Sequence, residues 1–382
     1  MKFVVEGAHQ SLSKYGEELC GDHVEVLKKD DGTIFVLSDG LGSGVKANIL
    51  ATLTTKIAIG LVEKNLPLEE IVETIIETLP ICEVREMAYS TLAVLKVYND
   101  GRAQLIEIDA PPAFLFKDGE IKPLEMNEIT IKGKLIKEAR FNLELGDSIF
   151  ITSDGVVHAG IGGLMDFGLG WDGVANHLED IEDSAIPFKQ MIDKMLNICQ
   201  AYYLMEPGDD CTVLGARLRK PRNLTIMTGP PTDPERDKEI SRRLNRASGR
   251  TVICGGTTSQ IFAREMDREL ECTFQYEDPD IPPISFIDGV SLVTEGLLTL
   301  NKTVEYLQEY QYPELPPGKD GASLLAKEIM KCDKIDLLVG RAANEAHQSL
   351  NLPANLGVRT QVIERLMVTL EDMHKKVNIE WY

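Results

Sequence analysis

The chain has 382 residues, 43% hydrophobic and 26% charged, and its 40 Lys and Arg stand against 61 Asp and Glu for a formal net charge of −21. That length suits two globular domains, and the acidic balance argues against nucleic acid as a partner, because nucleic-acid binders need a basic footprint. The longest apolar runs, such as Ile57 to Val62, fall far short of the roughly 20 residues of a membrane span, no apolar signal core opens the chain, and seven cysteines without a Cys-x-x-Cys pair suit reduced thiols. The expectation is a cytoplasmic protein with no membrane partner.

Residues 2–9 and 22–28 alternate and predict the first strands, with a polar loop between them. Asp30-Asp-Gly32 is a hairpin signal leading into a strand that stops at Ser38-Asp39-Gly40. Helical spacing follows over Val45–Lys64 and Pro67–Leu79. From Ser90 the period changes to strands, punctuated by Asn99-Asp-Gly101 and Lys117-Asp-Gly119, which predicts an antiparallel meander. The strand Ser148–Thr152 runs into Ser153-Asp154-Gly155, and a glycine-rich loop spans Gly160–Gly170. An amphipathic helix near Pro187–Tyr202 precedes Gly208-Asp209-Asp210 and the strand Cys211–Leu218.

Lys220-Pro221 marks the expected boundary, giving domains 1–219 and 220–382. Beyond it strand and helix alternate: strands at Leu224–Met227, Arg250–Cys254, Val290–Val293 and Ile335–Val339, helices at Asp233–Ser248, Gln260–Met266, Leu300–Tyr310, Gly321–Cys332 and Val358–Lys375. This predicts a smaller α/β domain. Gly255-Gly-Thr-Thr-Ser259 joins a strand to a helix and suits either an anion at a helix N-terminus or a plain capped turn. It has neither the GxGxxG nor the GxxxxGK[ST] pattern. Arg242, Arg243, Arg246 and Arg250 form a local basic patch, by default a solvated helix face.

One Asp-Gly is an ordinary tight turn. Acidic residues at Asp22, Asp39, Asp154 and Asp209, with Asp210 a further candidate, are a different matter when taken together. Carboxylates and backbone carbonyls are what Mg²⁺ and Mn²⁺ prefer, and the absence of a histidine or cysteine cluster disfavours zinc. Cys20, Cys82, Cys199 and Cys211 read as small buried hydrophobes.

Gly21-Asp22, Ser38-Asp39-Gly40-Leu-Gly-Ser-Gly44, Ser153-Asp154-Gly155 and Gly208-Asp209-Asp210-Cys-Thr212 occur in the order and contexts of the metal-dependent type 2C serine/threonine phosphatases. Over residues 1–218 the chain resembles their bacterial sporulation and stress-response branch, and Asp109-Ala-Pro-Pro-Ala to Gly119 resembles that branch's strand–turn–strand. The resemblance implies an α+β fold: a four-layer α-β-β-α antiparallel sandwich, followed here by the smaller α/β domain. It implies two divalent cations, Mn²⁺ or Mg²⁺, with Asp39 bridging both and the Gly40 carbonyl binding one. Asp154 and Asp209 would complete the second ion's shell, and Asp22 would lie beside it as a ligand through water or an acceptor. The nucleophile would be a hydroxide bridging the metals, the substrate a phosphoserine or phosphothreonine protein in bacterial signalling. His23 becomes a candidate proton donor to the leaving serine, a histidine that merely hydrogen-bonds being the commoner case.

Two departures qualify this. No arginine near the N-terminus is placed to grip phosphate, so the metals would bind it alone, and Gly160–Gly170 stands where the family has a variable flap. By analogy with the branch, the helices over 45–79 would shift and so assemble the metal site. The alternative is a pseudophosphatase that uses the fold to bind a partner. A homodimer, and a small ligand, nucleotide or partner at the second domain, stay open.

Overall fold

A computed structural model describes the chain except for residues 1–2, 65, 67, 79–80, 83–86, 89, 183–185, 273–280, 311–313 and 343–353. It divides into two compact units, Met1–Lys220 and Pro221–Tyr382. In the first unit the elements are β1 (Val4–Leu12), β2 (Asp22–Lys29), β3 (Gly32–Asp39), α1 (Gly44–Glu63), α2 (Leu68–Thr78), the short β4 (Ile81–Cys82) and β5 (Met87–Ala88), β6 (Leu92–Tyr98) and β7 (Arg102–Ile108). There follow β8 (Phe114–Lys117), β9 (Glu120–Lys122), β10 (Asn127–Ile131), β11 (Lys134–Asn142), β12 (Ser148–Thr152), α3 (Asp154–Val157), α4 (Gly170–Ile181), α5 (Phe188–Tyr202) and β13 (Cys211–Arg219). Both ends of the helix expected over Pro67–Leu79 lie outside the described residues.

Among the described residues two antiparallel sheets carry this unit: β1-β13-β12-β8-β9 and β10-β11-β7-β6-β3-β2. Strand β3 explains the layering. All but one of its side chains are buried, yet they alternate as a strand must. Ile34 and Val36 enter a core shared with Ala58 and Val62 of α1 and with Val72 and Ile75 of α2. Phe35 and Leu37 enter a second core shared with Ile149, Ile151, Leu214 and Ala216 of the opposing sheet. A third core, built by Phe150 and Val213 with Leu178 of α4 and Phe188, Met191 and Met195 of α5, closes the far side. The result is helix, sheet, sheet and helix, the expected α+β four-layer sandwich. Full burial of each large side chain contributes about 1.5–3 kcal/mol, so neither sheet is stable without the layers on both of its faces.

The second unit is built differently. Its elements are β14 (Asn223–Thr228), α6 (Asp237–Asn245), β15 (Arg250–Cys254), α7 (Gly256–Met266), β16 (Leu270–Cys272), β17 (Ser285–Ile287), β18 (Leu292–Thr294), α8 (Leu297–Glu309), α9 (Gly321–Lys331), β19 (Lys334–Val339), α10 (Ala354–Asp372) and β20 (Lys376–Trp381). The sheet order is β16-β17-β18-β15-β14-β19-β20. The run from β18 through β15, β14 and β19 to β20 is parallel. One face packs on Ile240, Leu244 and Phe262 of α6 and α7. The other packs on Leu300, Leu325, Ile329, Ile363 and Leu366 of α8, α9 and α10. Strand order reverses beside β14, as in doubly wound α/β sheets.

Candidate metal centre

The two sheets of the first unit bring acidic residues from separate stretches to one end of the space between them. Antiparallel pairing sets Asp22 of β2 directly across from Asp39 of β3, a register that holds paired Cβ atoms about 4.5–5.5 Å apart. By alternation Asp39 continues the series Phe35, Leu37, which faces the opposing sheet. On that sheet Ile149 and Ile151 of β12 and Leu214 of β13 share the same core, so Ser153 and Thr212 point the same way. The loops after β12 and before β13 are stitched together: Ser153 N–H donates to Thr212 O at 3.1 Å, and Thr212 N–H donates to Ser153 Oγ at 2.8 Å. That stitch sets Asp154, first residue of α3, beside Asp209 and Asp210. Gly155 is required here, since a Cβ on it would lie 2.1 Å from the Asp210 carbonyl oxygen.

The electrostatics agree with this placement. Asp39 has its carboxyl pushed up to about 9, first by burial and then by the charges of Asp22, Asp154 and Asp209, with a hydrogen bond shared with Asp154. Burial likewise lifts Asp22 to about 7; the hydroxyls of Ser153 and Thr212 ease it down, and Asp210 and Asp154 push it up. Those hydroxyls are engaged elsewhere, Ser153 Oγ donating to Asp210 O at 3.4 Å while accepting from Thr212 N–H, and Thr212 Oγ1 meeting Ser11 Oγ at 2.7 Å. Both oxygens of Asp22 are accordingly buried without a hydrogen-bond partner, as is Oδ2 of Asp210. Asp209 is also raised, by burial and then by Asp154.

Like charges this close and this dry are stable only with a proton or a cation between them. The orphaned oxygens of Asp22 and Asp210, in a set made only of oxygen donors, suit a hard divalent cation. The shell is not closed as it stands: among the described residues no group of three or more His, Cys, Asp or Glu side chains is gathered so as to hold an ion. The carboxylates interact, and side-chain rotation would have to complete the shell. Gly40 is buried next to Asp39, its N–H donating to Gly21 O at 3.3 Å. A Cβ there would lie 2.1 Å from Ala47 O at the start of α1. The residue that offers the candidate carbonyl is therefore glycine by necessity.

His23 is not brought to this cluster, and its candidate role as proton donor is corrected. It is the residue after Asp22 in a strand, so it faces the opposite side. There Nδ1 meets Thr55 Oγ1 of α1 at 2.7 Å, and burial lowers its pKa. A histidine turned to a helix on the far face of its strand does not reach a leaving group between the sheets. Cys199 and Cys211 are buried as the sequence suggests and Cys20 is half-buried; burial pushes Cys199 and Cys20 up to about 12 and also raises Cys211, while the Cys82 side chain lies outside what is described.

Several residues that position Asp39 escaped sequence reasoning. Ser90 Oγ donates to Asp39 O at 2.9 Å, Asp39 N–H donates to Thr91 Oγ1 at 3.2 Å, and Thr91 N–H donates to Asp39 O at 2.9 Å. Ser38 Oγ donates to Thr91 O at 2.6 Å and also contacts Ser90 Oγ. The serine of each Ser-Asp-Gly thus fixes the backbone of its aspartate by reaching to a neighbouring strand. The recurrence of that serine was the available signal.

The family model described as Stage II sporulation protein E (SpoIIE) matches residues 29–219. With half of its length matched, the chain belongs to the SpoIIE family of type 2C protein phosphatases, whose members depend on divalent metal. Among solved structures, the phosphatase domain of SpoIIE from Bacillus subtilis is 17% identical over 57% of this chain and 94% of that one, with a TM-score of 0.44. The RsbU and RsbW domains of a Mycobacterium tuberculosis protein are 19% identical over 64% of this chain and 68% of theirs, at 0.49. RsbX in complex with magnesium is 20% identical over 56% of this chain and 95% of its own, at 0.41. No curated protein matches the chain.

Proposed function

We propose that residues 1–219 form a cytoplasmic serine/threonine phosphoprotein phosphatase of bacterial signalling that works with two divalent cations, Mn²⁺ or Mg²⁺. The observation that carries the reading is the gathering of Asp22, Asp39 and Asp209 at one end of the inter-sheet space, where burial first and neighbouring carboxylates next raise all three. Asp39 and the Gly40 carbonyl would hold the first ion, Asp39, Asp154 and Asp209 the second, with Asp22 beside them and its two unpartnered oxygens accepting from coordinated water. When bound, the ions supply charge to neutralise a phosphoryl group and acidify a water for in-line attack. The chain's own contribution is orientation. Ser38, Ser90 and Thr91 fix Asp39, and Ser153 clamps the loop of Asp154 to that of Asp209. Residues 220–382 form a regulatory or sensory domain in this reading, with a small ligand or a partner as its input; a homodimer is compatible with it.

A second reading, a pseudophosphatase acting as a binding module, is favoured by one observation, the unclosed shell. Hydrolysis of p-nitrophenyl phosphate separates the two. Turnover that needs Mn²⁺ or Mg²⁺, vanishes in EDTA and collapses in Asp154→Asn supports the phosphatase. Turnover unaffected by EDTA excludes the metal mechanism, and none under any condition supports the binding module.

A further inference from the structure

The second unit carries a site of its own. Two neighbouring parallel strands, β15 and β18, each lead within two residues to a glycine that caps a helix. Gly255 caps α7 at φ +126° and Gly296 caps α8, and as glycines neither offers a side chain to the first amides of its helix. The caps touch: a Cβ on Gly296 would lie 3.4 Å from the Gly255 Cα, and Gly255 N–H donates to Thr294 O at 2.9 Å. Two helix N-termini, each with first-turn amides that its own helix cannot satisfy, therefore converge. The positive ends of both dipoles lie at that point.

The two helices also share a pattern, Gly255-Gly-Thr-Thr258 and Gly296-Leu-Leu-Thr299, which puts a threonine third in each helix. Helical Cα–Cβ bonds lean toward the N-terminus, so both threonines are directed back at the paired caps. Thr258 Oγ1 lies 3.0 Å from where a Gly255 Cβ would be. Thr299 is wholly buried, and its Oγ1 has no hydrogen-bond partner. A hydroxyl left unpaired in the interior costs about 1–3 kcal/mol, a cost that a ligand oxygen would remove. Beside the cap, Glu295 holds a buried Oε2 that also lacks a partner. A carboxylate there repels a bare anion but accepts hydroxyl hydrogens. All of this lies at the carboxyl ends of the parallel strands β15 and β18, one strand away from β14, where the strand order reverses.

We propose that the second unit binds a phosphorylated sugar, free or as part of a nucleotide, with its phosphate on the paired N-termini of α7 and α8 and its hydroxyls on Glu295. The proposal stands apart from the phosphatase reading, since it involves only Pro221–Tyr382. Gly256 offers a clean probe: it is exposed, and a Cβ there meets nothing within 4 Å. A carboxylate in that first turn is favourable to the helix and hostile to a phosphate. The full-length chain is titrated calorimetrically in EDTA, which keeps divalent ions out of the first unit, with AMP, ribose 5-phosphate and inorganic phosphate. The expected result is binding of AMP or ribose 5-phosphate, tighter than inorganic phosphate. Gly256→Asp should weaken it about tenfold or more without lowering the Tm, and Thr299→Val should weaken it less. AMP tighter than ribose 5-phosphate identifies a nucleotide; equal affinities identify the sugar phosphate. Heat from none of the three, or equal affinity in Gly256→Asp, overturns the site. Inorganic phosphate binding as tightly as the esters overturns the assignment of Glu295 and of the sugar.

Discussion

The acids of the candidate metal centre and the buried acids of the second unit stand in opposite surroundings. In the second, Asp320 is 7% exposed, and its Oδ1 accepts the N–H groups of Ala322 and Ser323 at 2.9 Å, capping α9. Asp237, 6% exposed, is paired with Arg264 at 2.6 Å. In the first, Asp22 is 4% exposed and has no partner for either oxygen, and its nearest charged company is Asp39, Asp154 and Asp210. A buried carboxylate with donors around it holds a fold together. One surrounded by other carboxylates raises the energy of the fold and is retained for what it binds.

That contrast can be broken at several points. The largest effect expected is on Asp39→Asn, which leaves β3 in place but removes the ligand proposed to be shared; turnover of p-nitrophenyl phosphate with Mn²⁺ should fall about 100-fold or more. Gly155→Ala forces a Cβ to 2.1 Å from the Asp210 carbonyl and should cost about 1–3 kcal/mol, read as a lowered denaturant midpoint, with activity lost alongside.

The pH dependence of stability should differ with metal. Asp39 at about 9 and Asp22 at about 7, against 3.8 when unfolded, mean that the folded chain keeps protons that the unfolded chain has released. Their stabilisation is complete below about pH 4 and is lost as pH rises through 7 and then 9. In EDTA the Tm should therefore fall across that window. Saturating Mn²⁺, which replaces those protons, should remove the slope, and Asp39→Asn should flatten it without metal. In the second unit, Asp320→Ala should cost about 1 kcal/mol as a lost cap and leave Mn²⁺ binding untouched. The smallest effect belongs to His23→Gln, where turnover should stay near wild type; a large loss would restore the histidine to the mechanism.

Much of the first unit was legible because its signals are local. The strand ending at Asp39, the Ser-Asp-Gly pairs and the turns at Gly101 and Gly119 each follow from a few neighbouring residues. What escaped depends on long-range pairing or on weak patterns. The contact of Ser90 with Asp39 spans 51 positions. Helix α4 begins directly after the glycine-rich loop and has Gly173 inside it, which masks its periodicity. Strand β11 reads as Lys134-Leu-Ile-Lys-Glu-Ala-Arg-Phe-Asn142, with charges spaced through it, and it was missed with its partner β10. Alternation across Asp22 and His23 was available from the start and already separated the two residues onto opposite faces. In the second unit the alternation of strand and helix predicted an α/β domain. The parallel order that brings Gly255 against Gly296 is a tertiary fact that no spacing encodes.

The central claim is that acids on separate strands converge to hold a pair of hard cations. Titrating Mn²⁺ into the metal-free protein at neutral pH, with free ion followed by electron paramagnetic resonance, tests it most directly. The account predicts two ions bound per chain, with both sites weakened in Asp39→Asn. Retention of no Mn²⁺ by the wild-type chain, or identical isotherms for wild type and variant, would contradict it.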